Sequence, residues 1–300
     1  MGGMTDHGRD VRFGVFLIPM ADADPVAQAI ESERLGLDYV GIQDHPYQRR
    51  FVDVFALLAM IAGSTAHIGL FPDVACLPLR PPAVMAKTAA SIDVLSGGRF
   101  ELGLGAGAFW DAIVAYGGTR LSPGESLDAL EEAIEVIRKV WSGERGLRFE
   151  GEHYHLSGAH SGPVPAHPIG IWLGVYGPRA LGIAGRLADG WVPSLRDDLT
   201  MLSRMASRLD EAANNAGRDP GRIRRILNIS GTITDGPSSG VLQGPIDQWV
   251  DELTVLVLDH GFDTFVTSAD DPRHLQRFAQ EVAPTVRDIV ATERGRRDAE

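Results

Sequence analysis

The chain has 300 residues, 40 acidic side chains against 28 Lys and Arg, a formal net charge of −12 and one cysteine. That acidity argues against a nucleic-acid partner, whose phosphates require a basic face, and against adhesion to an anionic membrane surface. The lone Cys76 excludes an intramolecular disulfide and a cysteine-based metal cluster, and it reads as a small apolar filler near a strand end.

In chain order, Val11–Ile18 is apolar, β-rich and closed by Pro19. The mixed charges before it (Asp6, Arg9, Asp10, Arg12) make it a buried first strand rather than a signal peptide, so a cytoplasmic protein is expected. Asp24-Pro25 opens a helix stopped by Gly36. Asp38–Gln43 is the second apolar run, with Asp44-His45-Pro46-Tyr47 at its C-terminal end and a helix from about Asp53 to Ala62 beyond. His67–Ala75 is a mostly apolar run of the kind buried on both faces of a parallel sheet. The proline-bearing loop Cys76–Pro82, a small-faced helix Ala83–Leu95, the stop at Gly97-Gly98 and the strand Phe100–Gly105 complete a strand–helix–strand unit. Ser122, with Glu125 three residues on, is a capping box for a long amphipathic helix to Trp141.

Residues Ser142–Pro168 break this rhythm. RGLRFEGEHYHLSG alternates like a hairpin, and the proline-rich tail after it predicts a long surface insertion. Strands at Ile169–Val175, Ala188–Pro193, Arg224–Ile233 and Asp263–Thr267 then alternate with helices opened by Gly177-Pro178 and spanning Leu199–Ala216, Gln243–Asp259 and Arg273–Thr292. The longest charge-free stretches, Val54–Pro72 and Ser157–Pro178, are interrupted by polar residues or prolines, so no membrane span is expected. Eight strands alternating with helices, and no linker between halves, predict a (β/α)8 TIM barrel as one domain over residues 1–300, with an insertion at about 142–168 after the fourth helix. A doubly wound sheet is the alternative.

In such a barrel the loops at the C-terminal ends of the strands build the active site. Four places carry suitable residues: Asp44-His45, Asp73-Val74, Ala106–Trp110 and Tyr176–Arg179. An imidazole near neutrality can give or take a proton in a cleft, though His45 fits a capping role equally well. Asp44 either charges the site or makes an Asx turn before Pro46. Gly103-Leu104-Gly105-Ala106-Gly107-Ala108 formally matches the dinucleotide pattern, but it lies on the fourth strand and leads into Phe109-Trp110. Its glycines therefore read as letting a flat ring or a phosphate approach the backbone. Gly177-Pro178-Arg179 offers free N–H groups and a guanidinium to a phosphate, a pattern that an ordinary helix start also gives. His153, His155, His160 and His167 lie in the insertion without carboxylate or cysteine partners at ligand spacing, so no metal is expected.

Four blocks in order, YVGIQDHPYQ, LPLRPPAVMAKTAASIDVLSGGRFELGLGAG, YGPRALGIAGRLADGW and GPIDQWVDELTVLVLDHGFDTFV, resemble the luciferase-like monooxygenase superfamily, and within it the branch that uses the deazaflavin coenzyme F420. The resemblance covers nearly the whole chain. It implies a (β/α)8 barrel, usually dimeric, with the coenzyme at the C-terminal mouth. It places Asp44 and His45 beside the reactive ring, with His45 as proton donor or substrate anchor. By the same resemblance, a non-prolyl cis peptide at Asp73-Val74 forms a bulge behind the ring and Ala106 and Gly107 line it, while Gly174, Tyr176, Gly177, Pro178 and Arg179 hold the coenzyme, the phosphate falling to Gly174, Gly177 and Arg179. Arg49, Arg50 and Arg80 are candidates for the coenzyme's acidic tail. Where the family's sugar-phosphate dehydrogenases have an acidic residue and a tryptophan, this chain has Ala108 and Arg49, which points instead to an apolar substrate pocket of Phe16, Tyr47, Phe109 and Trp110. The expected function is an F420-dependent oxidoreductase passing a hydride between the deazaflavin and a small carbonyl compound or activated double bond. An FMN-dependent monooxygenase fed by a separate reductase and a barrel that binds a ligand without catalysis are the alternatives.

Overall fold

The computed structural model describes residues 6–195, 199–268, 270–297 and 299. The staves of its central sheet are β1 (Arg12–Leu17), β2 (Tyr39–Ile42), β3 (Gly69–Pro72, resumed at Ala75–Cys76), β4 (Leu102–Gly105), β5 (Ile171–Leu173), β6 (Gly190–Trp191), β7 (Arg224–Asn228) and β8 (Thr264–Ser268). Each pairs in parallel with the next in chain order, and β8 returns to β1 with Phe13 opposite Phe265. The third and fourth staves meet at Leu70–Phe100 and Ala75–Leu104. The strand order never reverses, so the sheet closes into a TIM barrel, and the doubly wound alternative, which needs a reversal at a switch point, falls.

Local chemistry sets the helix ends. Asp24 and Asp53 cap the helices Pro25–Arg34 and Val54–Ser64 by accepting backbone N–H bonds. Ser122 and Glu125 make both bonds of the capping box on Pro123–Trp141, and Gly97 closes Pro82–Ser96 in the left-handed region at φ 74°. Phe71, Trp172, Val192, Ile226 and Val266 form a compact buried cluster. They come from staves all around the ring, so they meet across its axis and plug the barrel below the mouth.

The insertion contains the expected hairpin, Leu147–Glu150 against His155–Ala159. Its turn is held by the Glu132 carboxylate, which accepts from the backbone N–H groups of Glu152, His153 and Tyr154. The expectation that the insertion histidines lack carboxylate partners is corrected at two of them, the exposed His155, 3.9 Å from Glu150, and the half-buried His167. His167 lies 2.7 Å from Asp93 and 3.5 Å from Glu101, partners brought in from distant sequence, and hydrogen bonding to Glu101 and Asp93 raises its pKa above the ordinary imidazole value. This cluster ties the end of the insertion to the barrel. Among the described residues no group of three or more His, Cys, Asp or Glu is placed to hold a metal ion. None of their helices is long and apolar enough to cross a membrane.

Three departures follow from local chemistry. The expected single run His67–Ala75 is interrupted after Pro72, and the Asp73–Val74 peptide is cis there, as the resemblance implied. The aromatic segment after β4 is a short helix, Trp110–Ala115. The seventh strand stops at Asn228, and Thr232–Ile233 pairs separately with Gln243–Gly244.

Candidate active site

The C-terminal ends of the staves enclose two adjoining hollows, of about 680 and 410 Å3, that share Asp44, His45, Val74, Phe109, Gly174 and Tyr176 as common wall. The larger opens over the barrel axis and includes Phe16 and Asp73. The smaller runs out past Ala106, Gly107 and Trp110 to Gly177, and takes in Tyr47. The four places singled out from the sequence therefore meet at one mouth.

Asp44 is buried and serves to position its neighbours. Its carboxylate accepts from the Cys76 backbone N–H at 2.9 Å and is forked by Arg80, with Nε and Nη2 each at 2.9 Å. Arg80 also binds Asp53 at 2.7 Å and stacks over Phe55, 4.8 Å from the ring centroid. Arg80 was a candidate for the coenzyme tail, and its guanidinium is instead committed to locking the ends of β2 and β3 together. Arg80→Lys keeps the charge and loses the fork, so chemical denaturation is expected to show a loss of about 2 kcal/mol. Of the other tail candidates, Arg49 is exposed, and Arg50 is exposed and paired with Asp22.

His45 follows directly. Its Nδ1 lies 2.6 Å from the Tyr47 hydroxyl, and the Phe109 ring stands edge-on to the imidazole at 5.3 Å and 83°. Burial lowers the imidazole pKa, with nearby Asp44 opposing that shift, and burial pushes the Tyr47 phenol up to about 12. At neutral pH the pair is thus a neutral imidazole against an intact hydroxyl. Because that hydroxyl both donates and accepts, it supports either imidazole tautomer, and the other ring nitrogen is fit to take or release a proton.

The same hollows are walled by Val74 packed on a row of glycines. A Cβ at Gly174 would stand 2.8 Å from Val74 Cγ2, one at Gly105 2.9 Å from the same atom, and one at Gly107 (φ 98°) 2.7 Å from Pro78 Cγ. At Gly103 it would overlap the Pro72 carbonyl. These glycines let the bulge at Asp73-Val74 lie flat against β4 and β5. At the far end the ten-residue helix Pro178–Leu187 begins at Gly177 with no side-chain cap, leaving its first N–H groups toward the smaller hollow. Arg179 does not join that lining: its guanidinium pairs with Asp128 and the Gly124 carbonyl.

Sequence reasoning stopped at the first five staves. The larger hollow is completed by Ser194 after β6, Asn228 and Ser230 at β7, and Ser268 and Asp270 at β8. The signal was available: each is a polar residue at or just past the C-terminal end of a strand, the same criterion that found Asp44-His45.

Residues 11–239 match the luciferase-like monooxygenase family. An F420-dependent glucose-6-phosphate dehydrogenase of Kineococcus radiotolerans is 32% identical over 248 residues, covering 78% of this chain and 72% of that protein. An F420-dependent hydroxymycolic acid dehydrogenase of Mycobacterium tuberculosis is 34% identical over 221 residues, 70% of this chain and 59% of that protein, so the chain spans less than two thirds of it. Among solved structures, an F420-dependent secondary alcohol dehydrogenase bound to an F420–acetone adduct superimposes with a TM-score of 0.82 at 19% identity, over 93% of this chain and 99% of that one. The oxygenating constituent of 3,6-diketocamphane monooxygenase from Pseudomonas putida, in complex with FMN, does so with 0.77 at 18% identity, over 92% and 99%. At such identities these two likenesses speak for the fold alone.

Proposed function

Since the chain belongs to the luciferase-like monooxygenase family, we propose that it is an F420-dependent oxidoreductase of the dehydrogenase and reductase kind, with His45 as the proton partner of hydride transfer. The observation that carries this is the continuous mouth from His45, across the wall of Val74 and the glycines Gly105, Gly107 and Gly174, to the uncapped helix start at Gly177. That shape suits a planar ring at one end and a phosphate at the other. The curated relatives above, both named as F420-dependent dehydrogenases, favour the deazaflavin over FMN.

The donor set fits the group. Val74, with the glycines behind it, would back the ring; Ala106 and Gly107 would flank it; the N–H groups at the start of Pro178–Leu187 would receive the phosphate. Bound there, F420 would supply a carrier that gives or takes a hydride at a ring carbon. The protein's part is the proton. In oxidation of an alcohol, His45 accepts the hydroxyl proton while Tyr47 holds Nδ1; in reduction of a carbonyl or an activated double bond, the same nitrogen returns it. Phe16, Phe109 and Trp110 would shape an apolar seat for the substrate and keep water from the reacting atoms. The homodimer and the cytoplasmic location belong to the same reading, and light scattering tests the first by mass.

Gly174→Val is expected to push Val74 out of the wall and weaken coenzyme binding tenfold or more, with the circular dichroism spectrum unchanged; coenzyme fluorescence quenching measures it. The function itself is tested anaerobically, by following the visible absorbance of F420 on mixing with protein and a panel of alcohols. Bleaching supports the proposal. Oxygen consumption with reduced FMN and none with reduced F420 supports the monooxygenase instead.

A further inference from the structure

One acidic side chain of the mouth has no role in this scheme. Asp73, at the end of β3, is 8% exposed and lines the larger hollow. Its Oδ1 accepts from Asn228 Nδ2 at 3.1 Å. Among the described residues its Oδ2 has no hydrogen-bond partner, and neither has Asn228 Oδ1, although both atoms are buried. The neighbouring strand keeps the spot beside Oδ2 free: a Cβ at Gly41 would stand 3.1 Å from it.

Asp44 makes the contrast plain. It is a buried acid at the end of the adjacent strand, and Arg80 answers it with a bidentate fork. Among the described residues nothing comparable answers Asp73. No Lys or Arg is among the described residues that line the larger hollow. The titratable groups facing Asp73 across it are His45 from β2, the already paired Asp44, Tyr176 after β5 and Asp270 after β8. The described lining residues from β6, β7 and β1, among them Ser194, Asn228 and Phe16, are all uncharged.

We propose that Asp73 is a specificity-determining residue: an acid of the mouth with no cation beside it among the described residues, it admits uncharged substrates bearing a hydroxyl or carbonyl oxygen and rejects phosphorylated or carboxylated ones. A phosphate entering here gives up its water and finds, among the described residues, no cation to replace it, and once Asp73 ionises it meets a like charge as well. An uncharged oxygen meets a carboxyl group that burial pushes up to about 7, against the opposing Asn228 bond, and that therefore still holds its proton over much of the neutral range. A bound substrate excludes further water and favours the protonated acid more strongly, so above neutrality binding takes up a proton.

This inference rests on the oxidoreductase reading for its kinetic test. With F420 and an uncharged alcohol, KM is expected to rise about tenfold per pH unit above pH 7. Asp73→Asn should flatten that rise, and at pH 8, where Asp73 is ionised, should lower tenfold or more the preference for an uncharged alcohol over a phosphorylated analogue of the same skeleton. Turnover of the phosphorylated analogue as readily as its uncharged parent overturns the proposal, as does an Asp73→Asn protein with unaltered preference and pH profile. If the protein binds no F420, the functional reading fails and the selectivity is read on the coenzyme-free protein. Cyclohexanol should then raise Tm at pH 6 and cyclohexanecarboxylate should not; the reverse order overturns the claim.

Discussion

Replacing His45 by alanine is expected to lower kcat/KM for hydride transfer by about 10^2–10^4-fold while changing coenzyme affinity only a few-fold. Among the described residues that line the mouth the imidazole is the one histidine, and it is set for proton exchange by a hydroxyl 2.6 Å away and an aromatic edge beside it. Its removal leaves the wall at Gly105, Gly107 and Gly174 and the helix start at Gly177 intact, so binding and chemistry should separate. The pH profile gives an independent check. The imidazole pKa is lowered by burial, so for alcohol oxidation, which needs the neutral base, the acid limb of kcat should fall below pH 6.5 in the wild type. That limb should vanish from the residual activity of His45→Ala. Steady-state kinetics from pH 5 to 8 on both proteins measures it, and a variant that keeps both rate and limb would remove His45 from the chemistry.

The second large effect is on stability. Asp73 has a folded-state pKa raised from 3.8 to about 7. A carboxyl raised in this way binds its proton more tightly folded than unfolded. Its favourable contribution is therefore fully present below about pH 3.8 and is lost as the pH rises through 7. Three units of difference correspond to about 4 kcal/mol of stability given up between those limits. Asp73→Asn removes the titration and nearly preserves the shape, so its advantage over the wild type should be small at pH 4 and approach that value at pH 8. Urea denaturation at the two pH values reads it directly. Equal stability differences at both would show that Asp73 is ionised in the folded protein at little cost.

Much of this was legible in the sequence. Strands interrupted by glycine and proline, the capping box at Ser122 and the proline after Gly177 announced the barrel, because each is a local signal with a local cause. The Asp44-His45 pair was found by its place at a strand end. What stayed hidden depends on distant contacts. Nothing near Arg80 says that its guanidinium closes on Asp44, 36 residues away, rather than reaching for a ligand. Nothing near Arg179 announces Asp128, and nothing near His167 announces Asp93. The polar rim at Ser194, Asn228 and Ser268 was within reach of the strand-end criterion, since the sequence marks all three staves; only β6, two residues long, carries little periodicity of its own.

The central claim is that this mouth is shaped for F420, and titration of the purified protein with oxidised F420 and with FMN, each followed by fluorescence, tests it most directly. Saturable F420 binding that is at least tenfold tighter than FMN, and weakened in Gly174→Val, is the expected result. Tighter binding of FMN, or F420 binding unaffected by that substitution, would contradict it.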